Sequence, residues 1–445
     1  MANPGGFLEP ATSTDVRPPC SIALPDRGAF VFPPPYNTVG IRVTNEFDTG
    51  GGDALWYTGY SYWQAINAHQ GRDALLIFLG VDRNRGGAGP SLWSIDKASD
   101  IVTPLGAIFE PDDPLSWQTA EGWYWSAVEP TLLYATDERH LYRVDVGPRL
   151  EGGPARVTTV ADISTYRSGV IAWQWHSSSD GTVHSATLKD ASTYAAEGAI
   201  VYIEGDPNPW REYPRRGAFD ECQIDKSGAW LLTKDNVDNS EGEDNLLYAI
   251  GANGEPRVLL DENGAAGHSD NGFGYMVAAD NWAQQPSAFR LWMFDGREPQ
   301  GRLVYQTSSW SAQLGHLSHC NARPESPDGQ FVIGSGASRT AAPRNNEIVA
   351  FTLAPDALDK VLVIAPVLTN LDAPGGGTDD YAKLPKGNCD IAGSYFLWTG
   401  NAGGDRLDAF VVKVPAQLLI NGPPPSPTWT VTAPDGTVRR FVEVP

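Results

Sequence analysis

The feature that most constrains the fold is a recurring order of residues: a polar segment, a glycine turn and an apolar run. It is clearest at 267–277, where His268, Ser269 and Asp270 precede Gly272, and an apolar run follows. The same order returns at 221–232, 315–333 and 387–398. A strand–turn–strand unit repeated every ~40–50 residues is typical of β-propeller blades. We therefore predict an all-β chain built from four-stranded antiparallel blades.

Seven such units fit the sequence, and the pattern leaves six or eight open. They lie at about 40–106, 115–163, 169–214, 218–261, 266–308, 314–369 and 380–416. We predict a seven-bladed β-propeller over 40–422, after an extended Pro/Gly-rich leader at 1–39 and before a Pro-rich linker and short β-hairpin at 423–445. The leader is expected to lie over the body and to add a strand to the last blade. The 47 glycines and 35 prolines agree with many short strands joined by turns.

Charge and hydropathy exclude several classes of partner. The net charge of −22 argues against nucleic acid as a general partner, because phosphate binding needs a basic face. No apolar run approaches the ~18 residues that cross a bilayer. The start of the chain, 1–6, lacks the basic and apolar segments of a signal peptide. We expect a soluble protein, cytoplasmic, or secreted or periplasmic if a signal was removed. The C-terminal hairpin is expected to seal the ring or to dock a protein partner.

Polar side chains at the start of each blade's first strand are the best functional lead. In a propeller these strands line the central channel, so their first residues converge at one mouth. The set comprises Gln64, Asn67, Trp125, Gln174, His176, Glu221, Gln223, His268, His316, His319, Asn388 and Asp390. Two interpretations stay open: a wet channel lined by hydrogen-bonding residues, or a functional site.

One motif in this set carries a resemblance to a known family. Gln313-Leu314-Gly315-His316, with His268 in the preceding repeat, resembles the propeller-type polysaccharide lyases, above all the oligogalacturonate lyases. The resemblance implies that Gln313, His316 and His268 bind a divalent metal, which could be manganese, calcium or zinc. It also implies that the metal binds a uronate carboxylate and that a histidine removes the adjacent proton. The following repeat departs from the family, since Asn388 and Asp390 stand in place of histidine.

The chemistry of β-elimination assigns further roles. Cleavage needs neutralisation of the uronate carboxylate, a base for the C5 proton and a proton for the leaving oxygen. His176 is the candidate base with His319 as the second choice, and Tyr213 is the candidate proton donor. The candidate substrate-binding residues are Arg211, Arg215, Arg216, Trp125 and Gln174. Ordinary pairing with surface carboxylates is the alternative for the arginines.

These observations favour a carbohydrate-active propeller, namely a metal-assisted lyase that cleaves a uronate-containing saccharide by β-elimination. The chain carries no signature of a nucleotide or organic cofactor. Two alternatives stay open. One is a non-catalytic binding or structural propeller within a larger assembly. The other is a glycoside hydrolase whose carboxylate pair comes from Glu221, Asp270 and Asp390.

Overall fold

The fold was analysed in a computed structural model. It describes residues 5–20, 22–48, 55–56, 59–236, 244–251, 255–260, 268–280, 288–299, 301–306, 315–356, 359–420, 428–432 and 438–442. Within these ranges the chain is nearly all β. It forms seven four-stranded antiparallel blades in a ring, which confirms the predicted seven-bladed β-propeller.

Three strands precede the first blade: β1 (Phe7–Pro10), β2 (Gly28–Val31) and β3 (Val39–Arg42). Blade one is β4 (Ile66–Asn67), β5 (Ala74–Val81), β6 (Gly89–Asp96) and β7 (Val102–Ala107). Blade two is β8 (Tyr124–Trp125), β9 (Leu132–Thr136), β10 (His140–Asp145) and β11 (Arg156–Asp162). Blade three is β12 (Val170–Ser177), β13 (Val183–Asp190), β14 (Ala196–Ile203) and β15 (Trp210–Pro214).

Blade four is β16 (Ala218–Ile224), β17 (Trp230–Asn236), β18 (Asp244–Ala249) and β19 (Arg257–Leu260). Blade five is β20 (Ser269–Asn271), β21 (Tyr275–Asp280), β22 (Ala288–Met293) and β23 (Arg302–Gln306). Blade six is β24 (His316–Ser318), β25 (Phe331–Ser335), β26 (Glu347–Thr352) and β27 (Lys360–Pro366). Blade seven contains β28 (Asn388–Cys389), β29 (Tyr395–Gly400) and β30 (Asp408–Lys413), and β31 (Thr428–Thr432) pairs with β32 (Val438–Val442) in a separate hairpin.

Helical structure is sparse. Short 3₁₀ helices span Glu46–Asp48, Arg83–Arg85, Pro114–Trp117, Gly147–Glu151, Ile163–Thr165, Pro327–Gly329 and Ala416–Leu418. The one α-helix in the described ranges is α1 (Asp380–Lys383), between blades six and seven. No described helix has the length and apolar character needed to cross a membrane.

The ring is closed by strands from both ends of the chain. Blade seven has the order β2-β3-β30-β29-β28, and Ile41 of β3 lies opposite Val411 of β30. The first predicted unit, 40–106, is therefore divided: β3 completes blade seven, and blade one begins at β4. The predicted leader also gives β1 to blade six as a fifth strand, with Phe7 opposite Val363.

The core lies between the faces of neighbouring blades. Side chains alternate between the two faces of a strand, and β29 shows how this fills both sides. Phe396 and Trp398 belong to a buried cluster shared with blades five and six. Tyr395 and Leu397 belong to a second cluster, shared with blades one and two. A blade is thus apolar on both faces, and each face is covered by a neighbour.

The polar and glycine residues of the repeat build the turn between the first two strands of a blade. The Asp225 carboxylate accepts hydrogen bonds from the backbone N–H groups of Ala229 and Trp230 at 3.0 and 2.9 Å. In blade seven the Asp390 carboxylate accepts from the N–H groups of Ser394 and Tyr395 at 2.7 and 2.6 Å. Gly228 and Gly393 follow three residues after each aspartate with φ of 71° and 68°, which glycine adopts most readily. This part of the pattern is therefore a folding device.

Candidate functional site

The first strands of blades four to seven can be aligned by their pairing with the second strand of each blade. Gln223, Asp270, Ser318 and Asn388 each lie opposite the third residue of the second strand in their blade. Two positions earlier in the sequence are Glu221 and His316, on these strands, and His268 and Lys386, just before them; the four are here called the polar ring. Side chains two residues apart on a strand point to the same side. The polar ring is therefore a set of corresponding sequence positions at the start of blades four to seven.

His268 and His316 form the centre of the polar ring. Their rings are stacked with centroids 4.8 Å apart and an interplanar angle of 25°. His316 is 1% exposed, and neither of its ring nitrogens has a hydrogen-bond partner among the described residues. Buried polar atoms are nearly always paired, so such nitrogens mark a place where a water, a ligand or an ion belongs.

Both imidazoles are held in the neutral form. Burial lowers the pKa of His268 to about 4, and the positive charge of Lys234 acts in the same direction. Burial lowers the pKa of His316 well below its usual value, with smaller contributions from His268 and Lys386. A neutral imidazole offers the lone pair that a metal requires. The pair from neighbouring blades therefore fits two ligands of a divalent metal.

The rest of the implied metal site is incomplete in the described structure. Gln313, the third implied ligand, lies outside the described residues. Across the described ranges no group of three or more His, Cys, Asp or Glu side chains is arranged to hold a metal ion. In blade seven, Asn388 and Asp390 stand in place of the histidine that the resemblance implies. The Asp390 carboxylate accepts the turn hydrogen bonds described above. Burial raises the pKa of Asp390 to about 6.

Two tyrosines lie against the histidine pair, and a third packs on one of them. The Tyr60 ring lies 5.0 Å from His316 and 6.0 Å from His268, measured between ring centroids. Its hydroxyl is hydrogen-bonded to that of Tyr381, whose ring lies 6.4 Å from His316. Tyr62 packs on Tyr60 with a centroid distance of 4.8 Å. Tyr60 and Tyr62 precede β4, and Tyr381 lies on α1, so loops of blades one and seven meet over the site.

Glu221 anchors the blade-four side of the polar ring through a buried ion pair. Its Oε1 accepts from the Lys234 ammonium at 2.5 Å, and its Oε2 accepts from the Tyr62 hydroxyl at 2.8 Å. Gln223 donates to Oε1 at 3.2 Å. Burial acts to raise the pKa of Glu221, but Lys234 and Tyr62 lower it overall. The carboxylate is thus ionised beside the histidines.

Of the predicted catalytic residues, His176 lies nearest to this network. It stacks on Trp63 with a centroid distance of 5.2 Å and an angle of 27°, and its ring lies 5.2 Å from Tyr62. Burial lowers the pKa of His176 to about 4, although the charge of Glu221 opposes this effect. Gln174 sits at a bulge two residues earlier, with φ of 57°, and lines a groove of about 490 Å³ together with Trp63.

His319 and Trp125 are held in structural contacts. His319 follows β24 and is fully buried, with Nε2 3.3 Å from the Tyr275 hydroxyl. Its backbone N–H donates to the Asp270 carboxylate at 2.6 Å. Trp125 is 2% exposed and donates from Nε1 to the carbonyl oxygen of Ala65 at 3.0 Å.

Tyr213 and the three arginines lie elsewhere. Tyr213 and Arg211 are on β15, the outermost strand of blade three, and Arg215 and Arg216 follow it. Together with Tyr248 they line an open groove of about 830 Å³. Arg211 pairs with Asp206 at 2.9 Å, and Arg216 pairs with Glu255. The structure does not bring these predicted residues to the histidine pair.

Sequence reasoning missed Tyr60, Tyr62, Tyr381 and Lys386. The tyrosines come from loops outside the repeated units, where no periodic signal marks them. Lys386 stands two residues before Asn388, as His316 stands two residues before Ser318. An alignment of the repeats that extended upstream of Asn388 would have found it.

A buried histidine outside this site is expected to make the stability of the fold sensitive to acid. His69, 1% exposed, has its Nε2 3.3 Å from the Ser126 carbonyl oxygen, and burial lowers its pKa to about 4. The unfolded chain binds this proton near pH 6.5 and the folded chain near pH 4, so stability falls as pH drops between these values. The difference corresponds to about 3 kcal/mol.

We expect His69→Gln to remove the contribution of His69 to this loss of stability. Denaturant unfolding at pH 7 and pH 4.5 measures the change. His140→Gln, a half-buried histidine on β10, is the control. An unchanged pH dependence in His69→Gln would contradict the prediction.

Comparison with known proteins shows a shared fold. No protein-family model matches the chain, and no curated protein matches it. Among solved structures, an oligogalacturonate lyase in complex with manganese is 13% identical, covers 93% of this chain and 99% of its own, and gives a TM-score of 0.56. The oligogalacturonate lyase of Vibrio parahaemolyticus is 11% identical, covers 92% and 99%, and gives 0.53. The predicted resemblance is thus confirmed for the fold: the chain shares the architecture of these propellers.

Proposed function

We propose that this protein is a carbohydrate-active propeller that cleaves a uronate-containing saccharide by metal-assisted β-elimination. The observation that carries the proposal is the stacked His268–His316 pair, with both nitrogens of His316 buried and unpartnered among the described residues. The likeness to a propeller solved in complex with manganese supports the choice of a divalent metal.

His268 and His316 would hold the metal, and Gln313 is the proposed third ligand. When bound, the metal supplies positive charge that stabilises the carboxylate as the C5 proton leaves. His176 remains the proposed base, because its neutral imidazole can accept a proton and Glu221 stabilises the resulting charge. His319 remains the second choice.

The proton for the leaving oxygen needs a protonated group at the mouth. A tyrosine hydroxyl is protonated at neutral pH, and the Tyr60 ring lies 5.0 Å from that of His316. We therefore propose Tyr60 for this step ahead of Tyr213, which lies on the outer groove. Arg211, Arg215 and Arg216 lie there as well, so their proposed role in binding applies to a saccharide long enough to reach that groove.

The hydrolase alternative receives less support from the geometry. Asp390 accepts turn hydrogen bonds, and Glu221 is paired with Lys234. Asp270 accepts from the His319 backbone and pairs with Lys226 at 3.3 Å. Each of the three carboxylates thus already has a structural partner.

The test combines metal analysis with product analysis. We expect the purified protein to bind a stoichiometric divalent metal and to release ultraviolet-absorbing unsaturated products from oligogalacturonate. Chelation should abolish the release of these products, and His268→Ala/His316→Ala should lose both metal and activity. His140→Ala, on the outer part of blade two, should retain both. New reducing ends without ultraviolet absorbance would identify a hydrolase, and binding without either signal would identify a non-catalytic module.

A further inference from the structure

Lys386 is an unusual member of the polar ring. It is fully buried, with 0% exposure, and it stands two residues before Asn388 of blade seven, as His316 stands two residues before Ser318 of blade six. Lysine is almost never fully buried unless it is paired. Its φ of 42° lies in the left-handed region, which is strained for a residue with a Cβ atom. Such strain concentrates at ligand-binding sites.

The contacts of Lys386 come mainly from α1. Its Nζ donates to the carbonyl oxygen of Tyr381 and lies 3.8 Å from the centre of the Tyr381 ring. Burial lowers the pKa of Lys386 to about 7, while the charges of Asp379 and Glu121 oppose the change. Lys386 also helps to lower the pKa of His316, so its charge acts on that histidine.

Tyr381 is the cover of this site. Its side chain is 46% exposed, it contacts Lys386, and its hydroxyl is hydrogen-bonded to that of Tyr60. The rest of its segment is held in place. Lys383 donates to the carbonyl oxygens of Leu371 and Ala373 at 2.8 and 2.7 Å. Displacement of the Tyr381 side chain therefore uncovers Lys386 without unfolding the segment.

We propose that Lys386 recognises the carboxylate of the ligand at the polar ring and that the ligand reaches it by displacing Tyr381. The inference rests on the proposed function, because it assumes a uronate as the ligand. A buried ammonium beside the histidine pair gives a charge-assisted hydrogen bond to a carboxylate and none to a neutral sugar. Lys386 is thus the residue that distinguishes uronates from neutral hexoses.

The test measures binding to the manganese-loaded protein by calorimetry, with D-galacturonate and D-galactose as probes. Lys386→Gln keeps a donor for the Tyr381 carbonyl oxygen and removes the charge. We expect it to bind galacturonate about 10- to 100-fold more weakly and galactose as the wild type does. Lys413→Gln is the control, since Lys413 is a half-buried lysine at the end of β30 and pairs with Asp100 at 2.7 Å.

A second variant tests whether Tyr381 covers the site. It is expected to gain affinity, which a folding defect would not produce. Tyr381→Ala should bind galacturonate more tightly, and Tyr381→Ala/Lys386→Gln should show no such gain. Unchanged galacturonate affinity in Lys386→Gln, or a wild type that does not bind galacturonate, would overturn the inference. If Lys386→Gln binds more weakly but no unsaturated product forms, the carboxylate site stands and the lyase proposal fails. If products form and Lys386→Gln binds normally, only the inference fails.

Discussion

Replacement of Glu221 by alanine should lower the free energy of unfolding by about 3–5 kcal/mol. The side chain of Lys234 is 4% exposed and donates to Glu221 at 2.5 Å. Removal of the carboxylate takes the 2.5 Å ion pair away from this buried ammonium, and the Tyr62 hydroxyl loses its acceptor. Urea unfolding, followed by tryptophan fluorescence, measures the change.

The double variant Glu221→Leu/Lys234→Met is the decisive control. Replacement of a whole buried ion pair by apolar residues of similar volume is often neutral or stabilising. We therefore expect most of the lost stability to return, together with a loss of any activity at the polar ring. Asp295→Ala removes an exposed pair with Arg297 and should cost less than about 1 kcal/mol. Equal costs for Glu221→Ala and Asp295→Ala would contradict the prediction.

Replacement of Glu347 by alanine should also cost about 3–5 kcal/mol. Glu347 begins β26 and accepts from Arg17 at 3.0 Å, from Arg344 at 3.2 Å and from the Tyr36 hydroxyl at 2.8 Å. Glu9 of β1 pairs with both arginines. Arg344 is 2% exposed at its side chain, so it cannot recover its charge interactions from water. The network joins the N-terminal segment to blade six.

Thermal unfolding and limited proteolysis of Glu347→Ala measure this effect. We expect a lower midpoint and faster cleavage within the first forty residues, because the segment loses its main charged anchor. Arg156→Ala, which removes an exposed pair with Asp145, is the control and should behave as the wild type. A Glu347→Ala protein as stable as Arg156→Ala would show that the network adds nothing to the fold.

The sequence predicted the blades well because each repeat carries its own turn chemistry. Asp225 and Asp390, each followed by a glycine, mark the turn between the first two strands. The same periodicity located His268 and His316, which the structure stacks together. The sequence predicted that the leader adds a strand to the last blade, but it did not assign β3 to blade seven, because the pairing of β3 with β30 depends on contacts between distant parts of the chain.

The predicted substrate-binding arginines lie away from the channel mouth for a geometric reason. Arg215 and Arg216 lie only a few residues before β16, a strand that lines the channel. However, they follow β15, the fourth strand of its blade, about 14 Å from the first strand at normal spacing. Closeness in sequence to an inner strand therefore does not place a side chain at the channel mouth.

The arrangement of blade seven has a consequence for synthesis of the protein in the cell. β2 and β3 are made early and pair with each other, but β30, the other partner of β3, follows only after residues 43–407. At about 5–20 residues per second, the ribosome needs roughly 20 to 70 seconds to make that stretch. Throughout this time the open edge of β3 presents unpaired backbone groups, which invite wrong pairing with other chains. Newly made protein should therefore depend on chaperones until the last blade is complete.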